Sequence, residues 1–432
     1  MSVELKPGYK LTEVGVIPED WKVHHLGGLL TGAPNYGINA PAISYDSRYP
    51  TYLRITDISE YGQFIDESKA SVNHPLSGSY MLSEGDLVLA RTGASVGKSY
   101  LYDHLDGELV FAGFLIRARP NPMKLEPKFL KYYTHSQPYW NWVKVNSMRS
   151  GQPGINGREF ASLPLPLPPT KAEQEAIAEA LSDADALIES LEQLISKKRH
   201  LKQGAMQELL TGKKRLPGFL VKSGNKQTEI GLIPEDWRIT QLNEVASKIT
   251  VGFVGSMAHL FRNEGIPLLR GQNVLPHKID FSDTKYISID THKLWKKSSL
   301  RSGDVVMVRV GYPGTSSVIP NDFGEANAAS LVIVSPSAEK LDSNFLCYMV
   351  NSEFGRCQID SYLVGGAQQV LNTTTAAIFK LPLPTKAEQT AIAAILSDMD
   401  TEIAALETKL AKTRSLKQGM MHELLTGKTR LL

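Results

Sequence analysis

Two long stretches of the chain place apolar residues at alternating intervals of three and four positions. These residues are Ile177, Leu181, Ala184, Ile188, Leu191 and Ile195 in the first stretch and Ile392, Leu396, Met399, Ile403, Leu406 and Leu410 in the second. Such spacing is typical of a coiled-coil seam. Each stretch follows a proline-rich stop and precedes a glycine, Gly212 or Gly427, that can end a helix. The pattern predicts two helices of about 40 residues, roughly 60 Å long, that pair with each other. An ordinary core helix is the alternative.

The regions before these helices alternate short β-like runs with turn residues. Residues 85–91 and 303–309 are each a Gly-Asp turn followed by an apolar run, which is typical of a buried strand. Further strands are predicted within 110–118 and 330–334, and helical turns near 127–135 and 344–354. The fold class is therefore predicted as α+β, with two globular domains of mixed, mostly antiparallel sheet, each followed by a long helix.

The sequence contains an internal repeat. TEVGVIPEDW at 12–21 returns as TEIGLIPEDW at 228–237, and LKQGAMQELLTGKKRL at 201–216 returns as LKQGMMHELLTGKTRL at 416–431. The helix starts at 170 and 385 share TKAEQ, where Thr and Glu form a candidate capping box. The repeat predicts a first globular domain at 1–169, a first helix at 170–215, a linker and second domain at 216–384, and a second helix with a short tail at 385–427. The two helices are nearly identical in sequence, whereas the two domains have diverged. This indicates that the helices perform the same task twice and that the domains perform two different tasks.

Charge and cysteine content constrain the function only weakly. The formal net charge is +2, but residues 197–226 hold nine Lys and Arg with Glu208 as the single acid. This run fits either a solvated helix face or contact with phosphates. Cys347 and Cys357 are too few for a disulfide framework, so we expect two buried thiols in a cytoplasmic protein. The first ten residues lack the apolar run of a secretion signal, and no apolar stretch is long enough to cross a membrane.

Catalytic motifs are weak or incomplete. Residues 93–99, GASVGKS, resemble a phosphate-binding loop but are one residue short between the glycines, and the second half has no lysine there. The histidines show no metal-ligand spacing. We therefore expect a non-catalytic chain with no metal and no cofactor of its own.

A glycine- and amide-rich segment follows each globular part. It is SGQPGIN at 150–156 and GAQQVLN at 366–372. Small residues allow close approach, and Gln and Asn side chains can pair with base edges. A structural turn that leads into the proline stop is an equally good interpretation.

The paired GxIPEDW, LPLP–TKAEQ and LKQGxMxELLTGKxRL segments resemble the specificity subunits of type I restriction–modification enzymes. The resemblance covers nearly the whole chain, and the duplicated arrangement is more specific than any one motif. It implies two target recognition domains, each reading one half of a split DNA site, and an antiparallel coiled coil that sets the distance between the half-sites. It also implies two methyltransferase subunits on the helices and, where the system cleaves, restriction subunits. These partners would supply adenine-N6 methylation, S-adenosylmethionine and ATP-dependent cleavage. The alternative is a coiled-coil scaffold with protein-binding domains.

Candidate functional residues follow from these interpretations. Arg, Lys, Gln and Asn are the side chains that contact phosphates and base edges. The predicted DNA contacts are Arg54, Arg91, Lys98, Arg149 and Gln152 in the first domain and Arg270, Arg309, Gln368 and Gln369 in the second. The predicted helix-pairing and partner-docking residues are Ile177, Leu181, Ile188, Leu191, Ile195, Ile392, Leu396, Ile403, Leu406 and Leu410.

Overall fold

The computed structural model describes residues 6–219, 224–363 and 370–431. The chain forms two compact units. Unit 1 comprises Met1–Glu192 and Thr408–Leu432, and unit 2 comprises Gln193–Glu407. The last part of the chain therefore belongs to the same unit as the first domain.

In the first part of the chain, short strands and helices precede the first long helix. The strands are β1 (Tyr9–Thr12), β2 (Gly15–Pro18), β3 (Lys22–His25), β4 (Asn35–Tyr36), β5 (Ile43–Ser44), β6 (Thr51–Leu53), β7 (Ala70–Ser71), β8 (Leu87–Ala90), β9 (Ser99–Leu101), β10 (Leu109–Phe111), β11 (Leu115–Ala118) and β12 (Pro164–Leu167). The helices are α1 (Pro127–Tyr133), α2 (Gln137–Asn146), α3 (Gly157–Ala161) and α4 (Lys171–Leu210).

The second part of the chain repeats this order. Its strands are β13 (Asn225–Thr228), β14 (Gly231–Pro234), β15 (Arg238–Gln241), β16 (Ala246–Val251), β17 (Ile266–Leu269), β18 (Val274–Leu275), β19 (Lys278–Ile279), β20 (Lys285–Ile287), β21 (Ser299–Leu300), β22 (Val305–Val308), β23 (Ser316–Val318), β24 (Ala326–Ala328), β25 (Leu331–Pro336) and β26 (Lys380–Leu383). Its helices are α5 (Leu242–Val245), α6 (Ile289–Leu294), α7 (Ser343–Asn351), α8 (Glu353–Leu363), α9 (Thr373–Ala377) and α10 (Lys386–Leu424).

Within the described residues, each unit contains two four-stranded sheets. Their strand orders are β4-β11-β8-β9 and β10-β6-β7-β5 in unit 1, and β16-β25-β22-β23 and β20-β17-β24-β21 in unit 2. The ladders β6–β10 and β17–β24 are parallel, and the other ladders of these sheets are antiparallel. The prediction of an α+β fold with mixed, mostly antiparallel sheet is confirmed. The strand pairing that both units keep is a scaffold on which different surface loops are carried.

The first turns of each long helix lie in the core of a globular domain. In unit 1, Ile177 and Leu181 of α4 pack with the buried Phe129 and Leu130 of α1 and with Leu424 near the end of α10. In unit 2, Ile392 and Leu396 of α10 pack in the equivalent cluster with α7 and with Leu209 near the end of α4. Burying one such side chain contributes about 1.5–3 kcal/mol. The first turns of α4 and α10 are therefore ordinary core helix, as the alternative interpretation expected. The later turns of α4 and α10 form the predicted helix pair.

The two long helices pack together as an antiparallel pair. In unit 1, Asp185 and Glu192 of α4 pair with Lys417 and Arg414 of α10, both at 2.5 Å. Residue numbers rise along α4 while those of the partners fall along α10, which is the sign of an antiparallel arrangement.

The basic run of the first helix is largely explained by the same pairing in unit 2. Lys198, Arg199 and Lys202 of α4 contact Glu402, Glu407 and Asp400 of α10 over 2.6, 2.5 and 2.5 Å. These cations face carboxylates of the second helix, so helix pairing accounts for them.

The cysteines do not share one environment. Cys347 is buried, and its burial raises the pKa of the thiol to about 12, so it stays protonated. Cys357 is exposed, so the expectation of two buried thiols is wrong for this residue. Cys357 lies in the amphipathic α8, whose outward face the local sequence did not reveal. Along the described residues, no helix has both the length and the apolar character to span a bilayer.

Candidate nucleic-acid interface

Two loops of unit 1 come together beside the strand β8. One joins β8 to β9 and carries Arg91, and the other comprises residues 149–156. The Gly93 amide donates to the Pro153 carbonyl over 3.0 Å, and the Ile155 amide donates to the Arg91 carbonyl over 2.9 Å. We call residues 91–98 and 149–156 together the loop pair. These backbone bonds hold its two members in a fixed relation, which a surface that recognises a ligand requires.

The loop pair brings Arg91 and Gln152 to the same place. The Arg91 guanidinium lies 5.0 Å from the ring centroid of Tyr36, whose hydroxyl accepts from the Gly157 amide. The Gln152 amide nitrogen would lie 2.8 Å from a Cβ built on Gly93, where φ is +72°. The positive φ therefore favours glycine at position 93, and the exposed Gln152 lies directly over it. A cation, an amide and an aromatic ring are thus presented together.

Arg149 lies at the start of the second loop and is already paired. Its Nη2 donates to both carboxylate oxygens of Glu159 over 2.6 Å, and the pair is solvent-accessible. Lys98 is half-buried where the first loop ends, and its carbonyl accepts from the Ala90 amide. The structure therefore places all four predicted residues Arg91, Lys98, Arg149 and Gln152 on the loop pair.

Residues 93–99 differ from a phosphate-binding loop in the element that follows them. A phosphate-binding loop leads from a strand into a helix whose first amides hold the phosphates. Here residues Gly93–Ser95 form a short 3-10 turn, and the segment then leads into the strand β9, which pairs antiparallel with β8. The structure thus gives no α-helix N-terminus at this place.

The equivalent loop of unit 2 comprises residues 309–315 between β22 and β23. Arg309 Nε donates to the Leu371 carbonyl over 3.2 Å, and the Leu371 amide donates back to the Arg309 carbonyl over 3.0 Å. The second of these bonds matches the bond from the Ile155 amide to the Arg91 carbonyl in unit 1. The predicted contacts Gln368 and Gln369 lie outside the described residues.

Tyr312 is a residue that the sequence interpretation missed. It stands at the tip of the 309–315 loop with 82% of its surface exposed, beside the exposed Val310. Arg356 braces this loop by donating to the Pro313 carbonyl and to the Thr315 hydroxyl. The signal in the sequence is an aromatic residue inside a GYPG turn, because a turn offers no core in which to bury it.

Arg54 and Arg270 occupy equivalent places before a short 3-10 turn. Arg54 donates through Nε and Nη2 to the buried Asp57 and also to the Ser68 carbonyl. Arg270 donates to Asp283, and hydrogen bonds from Lys285 and then Arg270 lower the pKa of that carboxyl to about 2. Both guanidinium groups thus hold a turn in place, which makes them weaker candidates for DNA contact than the loop pair.

Two other motif residues are explained by structure alone. Asp86 of the Gly-Asp turn is fully buried and receives Arg119 through both oxygens, over 2.7 and 2.9 Å. Asn156 and Asn372 cap α3 and α9, where Asn156 accepts from two backbone amides of the first turn and Asn372 from one. For these asparagines the observed caps support the interpretation as a structural turn.

A repeated arrangement attaches each domain to a helix end. In unit 1, Arg430 donates to both Asp20 and Glu173, and in unit 2 Arg215 donates to both Asp236 and Glu388. We call these four-part clusters, each completed by Trp21 or Trp237, the arginine brackets. In both brackets the side chain of the capping-box Glu binds the arginine instead of the N-cap backbone. The Thr hydroxyl does cap the helix, as expected. Arg215 and Arg430 were not among the predicted functional residues.

The comparisons with known proteins agree with this duplicated architecture. The model of the type I restriction modification DNA specificity domain matches twice, at residues 18–197 and 234–413. This chain belongs to the type I restriction–modification specificity family. Each match joins one diverged domain to the long helix that follows it, so the family unit is the repeat seen in the sequence.

Relatives of the specificity family match over nearly the full length. A putative type I restriction enzyme MjaX specificity subunit of Methanocaldococcus jannaschii is 30% identical over 98% of this chain and 97% of its own length. The MjaVIII specificity subunit of the same organism is 26% identical over 96% and 94%. The crystal structure of a type I S subunit from M. genitalium has the same fold, with a TM-score of 0.59 at 14% identity over 98% of both chains.

The ten predicted pairing residues of this specificity chain are all buried or half-buried. Ile177, Leu181, Leu191, Ile195, Ile392, Leu396 and Ile403 are buried, and Ile188, Leu406 and Leu410 are half-buried. Their side chains are used for packing inside the chain. A protein partner would therefore meet the exposed residues beside them.

Proposed function

We propose that this chain is the DNA-reading subunit of a type I restriction–modification complex, and that each loop region reads one half of a bipartite site. The observation that carries the proposal is the contrast between repeated attachments and diverged loops. The arginine brackets are the same in both units, and so is the order of the sheet that carries these loops, β4-β11-β8-β9 in unit 1 and β16-β25-β22-β23 in unit 2. In contrast, loop 91–98 with Gln152 and loop 309–315 with Tyr312 differ. Two domains that are attached in the same way but present different loop surfaces are suited to reading two different half-sites.

The chemistry of the loops supports double-stranded DNA as the ligand. Arg and Gln can form paired hydrogen bonds to guanine and adenine edges in the major groove, and Arg and Lys contact phosphates. Arg91, Lys98, Arg149 and Gln152 would serve unit 1. Arg309 and Tyr312 would serve unit 2, together with Gln368 and Gln369. Arg54 and Arg270 would act by fixing neighbouring turns.

The long helices would carry the rest of the assembly. We propose that they set the number of unspecified base pairs between the half-sites and dock two methyltransferase subunits through their exposed faces. Those subunits would bring S-adenosylmethionine and adenine-N6 methylation, and restriction subunits would add ATP-dependent cleavage. The chain would work in the cytoplasm, without catalytic residues of its own.

Methylation sequencing of DNA from cells that make the chain with its methyltransferase tests the proposal. The expected result is one methylated motif made of two fixed half-sites separated by a constant gap. Replacing residues 22–160 with the same region of a relative should then change one half-site only. A change in both half-sites, or a motif without a gap, would contradict two independent readers.

A further inference from the structure

Three side chains from three different elements meet in unit 1. The Tyr132 hydroxyl of α1 donates to Asp185 Oδ2 of α4 over 2.9 Å. Lys417 Nζ of α10 lies 2.5 Å from Asp185 Oδ1 and 5.4 Å from the centroid of the Tyr132 ring. We call this cluster a Tyr–Asp–Lys triad. It connects a recognition domain to both long helices at one point.

Unit 2 contains the same triad, built with the roles of the long helices exchanged. The Tyr348 hydroxyl of α7 donates to Asp400 Oδ2 of α10 over 2.7 Å. Lys202 Nζ of α4 lies 2.5 Å from Asp400 Oδ1 and 5.3 Å from the Tyr348 ring centroid. The sequence separations between equivalent residues are 216, 215 and 215 (348 − 132, 400 − 185, 417 − 202), which are those of the repeat.

The tyrosines are the part of the triad that belongs to the diverged domains. α1 reads PKFLKYY and α7 begins SNFLCYM, so the two share Phe, Leu and Tyr at the same places. The Phe and Leu of each helix are buried in the domain core. The adjacent Tyr133 corresponds to Met349, so its hydroxyl was not kept. The hydroxyl common to both domains is the one that reaches the helix pair.

The physical chemistry of the triad favours a single fixed geometry. Tyr132 and Tyr348 are 3% and 4% exposed, and burial, followed by the nearby aspartate, raises the pKa of both phenols. The hydroxyl therefore keeps its proton and donates to a carboxylate, and such charge-assisted bonds are shorter and stronger than neutral ones. The ammonium lies over the ring face at a distance that allows a cation–π attraction.

We propose that the two triads are positioning devices that fix the angle of each recognition domain on the helix pair and thereby hold the gap between the half-sites to one length. This inference rests on the proposed function. The tyrosines are too deeply buried to touch DNA, so they act through the domain that they hold. A rotation of ~10° over a lever of ~20 Å, within a domain about 30 Å across, moves the reading loops by ~3.5 Å. This is the rise of about one base pair.

The test uses the whole complex with its methyltransferase, and Tyr132→Phe as the variant. This change removes one oxygen and keeps the ring under Lys417. The parent complex should methylate sites of one gap length. The variant should keep both half-site sequences, while the share of methylated sites with a gap one base pair shorter or longer rises at least ten-fold. Tyr348→Phe should do the same through unit 2.

Tyr133→Phe is the matched control. Tyr133 neighbours Tyr132 on α1, is 1% exposed, and donates to the Pro164 carbonyl over 2.8 Å inside the domain. Loss of the Tyr133 hydroxyl removes a buried hydrogen bond but leaves both triads intact. The gap should therefore stay constant even if the variant is thermally less stable. If Tyr132→Phe and Tyr133→Phe broadened the distribution of gap lengths equally, the triad would contribute only to general stability, and the inference would be overturned. An unchanged gap with Tyr132→Phe would also overturn it, with the proposed function intact. A parent complex that methylates no split site would instead refute the proposed function.

Discussion

Arg430 pairs with Glu173 from 257 residues away, donating to the two carboxylate oxygens over 2.5 and 2.8 Å. Glu173 stands in the first turn of α4, and Arg430 follows the end of α10. The equivalent pair in unit 2 is Arg215 with Glu388. Each recognition domain is therefore held between the start of its own long helix and the end of the other one. This explains why the helix ends and starts are copied while the domains have diverged.

Loss of an arginine bracket should destabilise the fold strongly. Glu388 is 1% exposed, and the Arg215 side chain is 9% exposed. Arg215→Ala would leave the buried Glu388 carboxylate without its cation, which costs about 3–5 kcal/mol of unfolding free energy. Urea unfolding of the chain measures this loss. The control is Arg48→Ala, because Arg48 is 80% exposed in its pair with Asp46 and solvent screening leaves such a pair with little effect on the unfolding free energy. Equal losses for the two variants would show that the bracket is not a structural anchor.

His277 should make unit 2 sensitive to mild acid. It has a positive φ of 62°, stacks on Tyr348, and has a pKa lowered by burial, and then by Lys202, to about 4. The unfolded chain binds a proton near pH 6.5, before the folded chain does, so stability falls as the pH decreases from about 6.5 to about 4. His277→Asn keeps a residue that tolerates positive φ and removes the titrating ring. The variant should lose less stability than the parent between pH 6.5 and 4. Parallel pH profiles would contradict a buried neutral histidine.

Gln152 and Arg149 should affect DNA binding in different ways. Gln152 lies exposed over Gly93, so Gln152→Ala should cost about 1–3 kcal/mol of discrimination at one base pair. Arg149 is solvent-accessible in its pair with Glu159, and arginine side chains commonly contact phosphates, so Arg149→Ala should weaken binding to all sequences alike and reduce the salt dependence. Titrations of the complex with a panel of site variants at several salt concentrations separate the two. The opposite assignment, or unchanged binding to every DNA, would remove that residue from the interface.

Lengthening both long helices by one heptad should lengthen the gap between half-sites. The units divide α4 after Glu192 and α10 after Glu407, which are equivalent positions of the repeat, 215 residues apart (407 − 192). Seven residues inserted at both points preserve the apolar period and add ~10.5 Å to each helix. At ~3.4 Å per base pair, the gap should grow by about three base pairs, with both half-sites unchanged. Methylation sequencing measures the gap. An active variant with the original gap would show that helix length does not set it.

Much of the fold followed from local patterns. Apolar residues at intervals of three and four predicted α4 and α10, and the observed helices start at Lys171 and Lys386, one residue after the predicted starts. Gly212 and Gly427, with φ of +71° and +69°, lie just past the helix ends as predicted. Of the five predicted contacts in the first domain, Arg91, Lys98, Arg149 and Gln152 lie on one loop pair, whereas Arg54 holds a separate turn. Their contact with DNA stays a prediction.

The sequence by itself determined the repeat, the two long helices and the class of the domains, because periodicity, caps and turns depend on neighbours a few residues away. Only the tertiary structure decided which helix end holds which domain, and that Lys198, Arg199 and Lys202 of the basic run face carboxylates. It also decided that Tyr132 and Tyr348 reach both helices. These contacts join residues such as Lys202 and Asp400, 198 positions apart. A charge or a hydroxyl in a sequence does not specify its partner, since the partner is chosen by packing of the whole chain. The physical boundary between the two kinds of information is therefore the range of the interaction along the chain.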